Sequence, residues 1–188
     1  METWDAIRAR RNVREFSEQP LEPEDLNRIL EAGRLAPSSR NWQPWDLVVV
    51  TEPDRLRQLA EVWRGAWHVA GARAAIIIVA RQVESERERT TLYFDLGQAV
   101  MSIMLAAADI GVGTGHASVH DQELAARLLE LPNDRFAPPA RPAPPRPHWR
   151  TLRCDAARRS MAFITNTMSG GVACNGISHV HGHAGPWR

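Results

Sequence analysis

Leu35-Ala36-Pro37-Ser38-Ser39-Arg40-Asn41-Trp42-Gln43-Pro44-Trp45 joins an amphipathic helix pattern to a hydrophobic strand, Leu47-Val48-Val49-Val50. A connection of this kind usually needs only a turn residue or two. Residues 36–45 instead carry two hydroxyls, two carboxamides, a guanidinium and two indoles, held between prolines that limit their freedom. That much hydrogen-bonding and stacking capacity on a stiffened segment reads as a ligand loop. The plainer reading is a structural turn whose tryptophans plug the core, and one of Trp42 and Trp45 is expected to do so.

Working outward, Pro23-Glu24 suits a helical first turn, where proline's missing N–H is no loss and acids favour the dipole. Leu26, Ile29, Leu30 and Leu35 continue it as an apolar stripe. Residues 4–11 read as a short helix leading into a basic turn. Beyond the loop, Pro53 and Asp54 open a helix with Leu56, Leu59, Ala60 and Trp63 on one face. Ala74–Ala80 is a continuous apolar, β-branched run, as expected for a strand buried on both faces. Residues 91–110 form the longest helical pattern, ended by Gly111-Val112-Gly113-Thr114-Gly115. Asp121 caps a short helix carrying Leu124, Leu128 and Leu131. This interleaving implies an α+β or α/β sheet protein.

Charge divides the chain. Residues 1–135 hold 16 Arg against 21 acids, whereas residues 136–188 hold 7 Arg against Asp155 alone. The overall net charge of +1 argues against a bulk nucleic-acid binder. All basic residues other than histidine are Arg, so lysine Schiff-base and lysine-nucleophile chemistry are excluded. Six prolines fall within residues 138–147, and the remainder of the tail shows no clear period. Two readings of residues 136–188 stand side by side: a disordered extension, or translation of a shifted GC-rich frame. The division expected is a domain at 1–135 and an atypical tail at 136–188. Cys154 and Cys174 are too few for a disulfide framework. No apolar run near the ~20 residues of a membrane span is read, and the acidic N-terminus does not resemble a signal peptide. A cytoplasmic protein without a membrane partner is expected.

Three constellations could carry chemistry. Arg10-Arg11-Asn12-Val13-Arg14 places three guanidiniums and a carboxamide within five residues, a donor set suited to phosphate. Its plainer reading is a solvated patch paired with Glu15 and Glu18. The loop at 36–45 is the second. The third is Gly111–His120, where glycines permit close backbone approach to a planar ligand. His179, His181 and His183 could hold a metal on one side of an extended segment, but glycine neighbours in an unpatterned tail weigh against it, and no metal is expected. Gly111-Val112-Gly113 follows a helix rather than a strand, which disfavours a dinucleotide-binding turn.

The order and spacing of "RARRNVREF" (8–16), "LAPSSRNWQPW" (35–45) and "ADIGVGTGHASVHD" (108–121) resemble the FMN-dependent nitroreductase family, from Ile7 to about residue 135. The resemblance implies an α+β, three-layer α/β/α fold with a mostly antiparallel central sheet. It also implies a homodimer with FMN in clefts between subunits. The basic turn would hold the flavin phosphate through Arg10, Arg11, Asn12 and Arg14, Asn12 standing where the family often has Ser. Pro37, Ser38, Ser39, Asn41 and Gln43 would approach the partner subunit's flavin, and a backbone N–H near Ser118 and Val119 would face its N5. NAD(P)H would be the co-substrate, and a nitroaromatic, quinone or similar small molecule the acceptor, in a ping-pong cycle with no catalytic side chain. The resemblance also admits a flavin-sequestering protein without efficient turnover, or a specialised flavin enzyme. The family's sheet strand, Gly-Tyr-Pro-like turn and basic segment after the 121–131 helix find no counterpart in residues 136–188; Arg150, Arg153, Arg158 and Arg159 offer charge without a matching motif.

Overall fold

The apolar run at 74–80 lies at the centre of the sheet in the computed structural model of this protein, which describes residues 1–132, 135–136, 159–164 and 177–180. In chain order the helices are α1 (Thr3–Ala9), α2 (Pro23–Arg34), α3 (Pro53–Leu59), α4 (Glu86–Asp109) and α5 (Gln122–Leu128). The strands are β1 (Trp45–Val50), β2 (Ala75–Arg81), β3 (Val112–Ala117), β4 (Arg135–Phe136), β5 (Arg159–Ile164) and β6 (Ile177–Val180). The sheet runs β3-β5-β2-β1-β6, with β4 also paired to β2. The β1–β2, β1–β6 and β2–β4 pairings are antiparallel, and β5 runs parallel to β2 and β3. The expected mostly antiparallel sheet is present.

Alternation along β2 builds two cores. Ala75, Ile77 and Val79 face Leu56, Leu59, Val69, Ala125 and Leu129 on the α3–α5 side. Ala74, Ile76, Ile78 and Ala80 face Ile29, Leu30, Leu92, Ala99 and Ile103 on the α2–α4 side. A strand's side chains point alternately to opposite faces, so an all-apolar run requires cover on both. Helices supply it, and the result is the three-layer α/β/α arrangement.

Local signals set most boundaries. Proline occupies the first turn of α2 and of α3. Ser85 and Glu88 form a reciprocal capping box at the start of α4, five residues ahead of the expected start. Asp121 accepts from the Leu124 N–H at 2.8 Å to begin α5.

Three expectations are corrected. Gly111–Gly115 is not simply a helix terminator: Gly111 turns the chain with φ +77°, and Val112–Ala117 is a strand. Three glycines in seven residues hide that strand, because glycine disfavours extended structure and packs nothing. The tail does contribute sheet strands. Arg159–Ile164 inserts between β2 and β3, and Ile177–Val180 borders β1. Met161-Ala162-Phe163-Ile164 is an apolar run of the minimum length, and the arginine-rich stretch before it conceals it. Finally, α4 is long and apolar enough to cross a membrane by length and composition, though its apolar stripe lies against the sheet and α2. Of the histidine triplet, His179 falls on β6, while His181 and His183 lie outside the described residues, as do Arg150, Arg153 and Arg158.

Candidate functional site

The basic turn is fastened to the free edge of β3. Asn12 bridges Thr114 in parallel, and the Val13 N–H donates to the Thr114 carbonyl at 2.7 Å. This covers an edge that would otherwise present unpaired backbone groups. The Asn12 side chain adds a second tie, its Oδ1 accepting from the His116 N–H at 2.6 Å. A backbone N–H can only donate, so this bond fixes the amide orientation and turns Nδ2 away as a donor. Arg14 donates to the same Oδ1 at 3.0 Å and to the Val13 carbonyl at 3.3 Å. Gly115 makes the crossing possible: a Cβ there would stand 2.4 Å from the Val13 carbonyl oxygen.

His68 lies behind this turn, 2 % exposed. Its Nε2 is 3.4 Å from Arg14 Nη1. A guanidinium only donates, so Nε2 accepts and the ring proton resides on Nδ1. Nδ1 makes no hydrogen bond of regular geometry, although the nearby Gly65 carbonyl favours its proton. Burial, then the positive charge of Arg14 and finally His116, push the ring down to about 4, so it is neutral at pH 7. His116 is pushed down by the same first two causes. Phe16 and Trp67 flank the His68 ring, with centroids 6.1 and 5.9 Å away.

Arg10 caps α1, and Arg11 donates to the Arg8 carbonyl and, at 2.8 Å, to the Arg10 carbonyl. Among the described residues none of Arg10, Arg11 and Arg14 forms an ion pair, so the expected alternative of pairing with Glu15 and Glu18 is not what the turn does. The turn is a cluster of uncompensated guanidiniums on a fixed backbone.

The loop at 36–45 is a second, separately anchored group. Asp95 of α4, fully buried, accepts from the Ser39 N–H at 3.0 Å and the Ser39 hydroxyl at 3.1 Å. Ser38 Oγ accepts from the Gln43 N–H at 2.8 Å, and Asn41 Oδ1 from Gln43 Nε2 at 2.9 Å. Arg40, Asn41 and Gln43 all have φ near +50°. Three non-glycine residues in the left-handed region store strain that these bonds must hold, a pattern concentrated at ligand clamps. Pro37 is exposed. Trp45 is the indole that enters the core, 5 % exposed, whereas Trp42 stands 45 % exposed.

Ser118 and Val119 follow β3 and are both buried. The Val119 side chain belongs to the α3–α5 core, which leaves its backbone as the only part able to face a ligand. His120 stacks on Trp63 at 5.1 Å with 11° between the rings. Sequence reasoning missed Asp95 and His68. Asp95 was visible as a lone acid in the run Leu92-Tyr93-Phe94-Asp95-Leu96, while nothing in the local pattern around His68 signals burial.

Comparison with known proteins gives the family to which this fold belongs. The model of the nitroreductase family matches residues 7–82 and 69–137. The chain belongs to the nitroreductase family. An Archaeoglobus fulgidus protein provisionally named NADH dehydrogenase/NAD(P)H nitroreductase is 32% identical over 117 residues, covering 62% of this chain and 67% of that protein. A Bacillus subtilis protein named FMN reductase [NAD(P)H] is 24% identical over 117 residues, covering 61% and 47%. Among solved structures, an FMN-dependent nitroreductase from Clostridium difficile superposes with a TM-score of 0.62 at 23% identity, covering 71% of this chain and 82% of that one.

Proposed function

We propose that this chain is an FMN-dependent oxidoreductase that takes hydride from NAD(P)H and reduces a small acceptor such as a nitroaromatic or quinone. The observation that carries the reading is the fixed cluster of unpaired guanidiniums on the β3 edge, with the Asn12 amide turned outward beside it. Such a donor set fits a terminal phosphate: planar, permanently charged donors with no competing carboxylate. Family membership and the names of relatives support FMN as that group and NAD(P)H as the reductant.

When bound, FMN supplies the two-electron chemistry, and the protein supplies binding, orientation and electrostatics. In this reading Arg10, Arg11 and Arg14 neutralise the phosphate, and Asn12 Nδ2 donates to it. His68 holds Arg14 from behind as a neutral acceptor, so the ring adds no positive charge of its own beside Arg14. Ser38, Ser39, Asn41 and Gln43, with Pro37, form the opposite wall, rigidified by Asp95. The backbone N–H groups at Ser118 and Val119 are the candidates for donation to the flavin N5.

The two walls have separate hydrogen-bond networks within one chain, which fits a homodimer in which the loop serves the partner subunit's flavin. Trp4 and Ile7 on α1 and Phe94 and Met101 on α4 are large exposed apolar side chains, the kind of surface a second copy would cover. The test is direct. Purified protein should show the yellow flavin spectrum or acquire it with added FMN, and anaerobic NADH or NADPH should bleach it within seconds. Colourless protein that takes up no FMN would refute the assignment; bound flavin that neither nucleotide reduces would leave a sequestering role.

A further inference from the structure

A cleft of about 760 Å³ opens between the loop and the first turns of α4. Arg40 and Trp42 line it from the loop side; Arg87, Glu88 and Thr91 line it from the helix side. Its size lies within the range of small-molecule sites.

Charge accounting identifies what it suits. Nearby arginines are paired: Arg34 with Glu31, and Arg89 with Glu86. Arg40 and Arg87 form no ion pair among the described residues. The one carboxylate on the cleft, Glu88, is engaged in the capping box, accepting from the Ser85 N–H at 3.3 Å and the Ser85 hydroxyl at 2.8 Å. Two guanidiniums thus line a space whose one acid, among the described lining residues, is engaged in the helix cap. Trp42 adds an indole that is 45 % exposed, whereas Trp45 is buried. The backbone at Arg40 and Trp42 is held in place, because Ser39 is tied to buried Asp95 and its carbonyl accepts from the Trp42 N–H at 3.1 Å.

We propose that this cleft is an acceptor subsite selecting planar aromatic electron acceptors that carry a carboxylate. Arg40 and Arg87 take the carboxylate, and the Trp42 indole packs on the ring. Guanidinium–carboxylate pairing can be bidentate, and an indole offers a flat apolar face to an aromatic acceptor. The proposal rests on the reading that FMN binds beside this loop, and it adds a preference for charge that the loop's flavin-facing residues do not supply.

The experiment compares 4-nitrobenzoate with 4-nitrobenzamide, which share a nitro group and differ in charge. With FMN-loaded protein and saturating NADPH, kcat/KM is expected to favour the anion by about five- to tenfold, as two partly solvated ion pairs allow. The preference should shrink as ionic strength rises from ~0.01 M to ~1 M, because the Debye length falls from about 30 Å to about 3 Å. The Arg40→Gln/Arg87→Gln double variant should bring the ratio near one, and the corresponding Lys pair should restore part of it. A ratio unchanged by the double variant overturns the proposal. So does a variant that alters the NADPH-to-NADH ratio but leaves the acceptor ratio intact, since the arginines would then read the nucleotide's phosphate. Calorimetric titration of oxidised protein with 4-nitrobenzoate gives a readout independent of turnover. Binding that the double variant abolishes supports the subsite even if no nucleotide reduces the flavin, and equal binding to both proteins overturns it.

Discussion

Gly115→Ala tests the packing on which the proposed phosphate cradle at the β3 edge depends. The added Cβ would lie 2.4 Å from the Val13 carbonyl oxygen, 2.9 Å from His68 Cδ2 and 3.1 Å from His68 Nε2. Carbon–oxygen contacts close to about 3.3 Å at best, so Val13 must retreat by roughly 0.9 Å. A main-chain oxygen cannot rotate out of the way. The retreat pulls on the 2.7 Å bond from the Val13 N–H to Thr114 and on the Asn12–His116 tie. Overpacking of this kind costs about 1–3 kcal/mol. If the strain falls on the bound state, FMN affinity drops roughly five- to 150-fold.

The control is Gly33→Ala. Its Cβ would meet Ile103 Cδ1 at 2.6 Å and Cγ1 at 2.7 Å, atoms of a side chain that can move. That variant is expected to lower the melting temperature while leaving FMN affinity alone. Flavin fluorescence titration and thermal denaturation on the same preparations separate the two effects. Were Gly115→Ala to bind FMN as wild type does, or to behave like Gly33→Ala, the role given to the β3 edge would be wrong.

Four further outcomes are expected. Asp95→Ala removes the acceptor for the Ser39 N–H and hydroxyl and should cost about 1–3 kcal/mol, with weaker FMN retention; urea denaturation and fluorescence titration check both. As pH falls, the unfolded chain protonates His68 first, near its ordinary 6.5, and the folded chain only near 4. Stability is therefore full above pH 6.5 and declines towards pH 4, by on the order of 3 kcal/mol from this group, with His116 adding in the same direction; denaturation at pH 7 and 4.5 should show the slope, and His68→Phe should flatten it. Gly97→Ala, in the exposed interior of α4 where a Cβ meets nothing, should stabilise the isolated chain by about 0.5–1 kcal/mol; a decrease in melting temperature would indicate that another surface packs there. Phe94→Asp with Met101→Asp should convert a dimer to monomer by light scattering and release FMN, and an unchanged mass would remove these residues from the interface.

Much of this architecture was legible because its signals are local. The Pro23 and Pro53 starts, the Asp121 cap and the two-faced run at 74–80 each depend on residues within a turn or a strand of one another. The strand at 112–117 was not legible, because its glycines are there to admit Val13, a residue about a hundred positions earlier. The same holds for the site. Arg10–Arg14 and the loop declared themselves by density of polar groups, whereas Asp95 and His68 act through burial that only the packed fold creates. The strand at 159–164 failed for a different reason: a six-residue segment with only four consecutive apolar residues carries too little periodicity to stand out.

Helix α4 links features that are separate in sequence. Its first turns carry Arg87 and the Glu88–Ser85 box; its middle carries Asp95, which holds the loop, and Phe94 and Met101, which face outward; its inner face carries Ile103 against Gly33 and Leu47. A rigid helix cannot shift one of these without the others. Covering the outward face with a second copy would therefore fix the loop and the cleft in the same event. This gives a physical reason to expect acceptor binding and assembly to rise and fall together, with Asp95 as the residue through which the loop feels the helix.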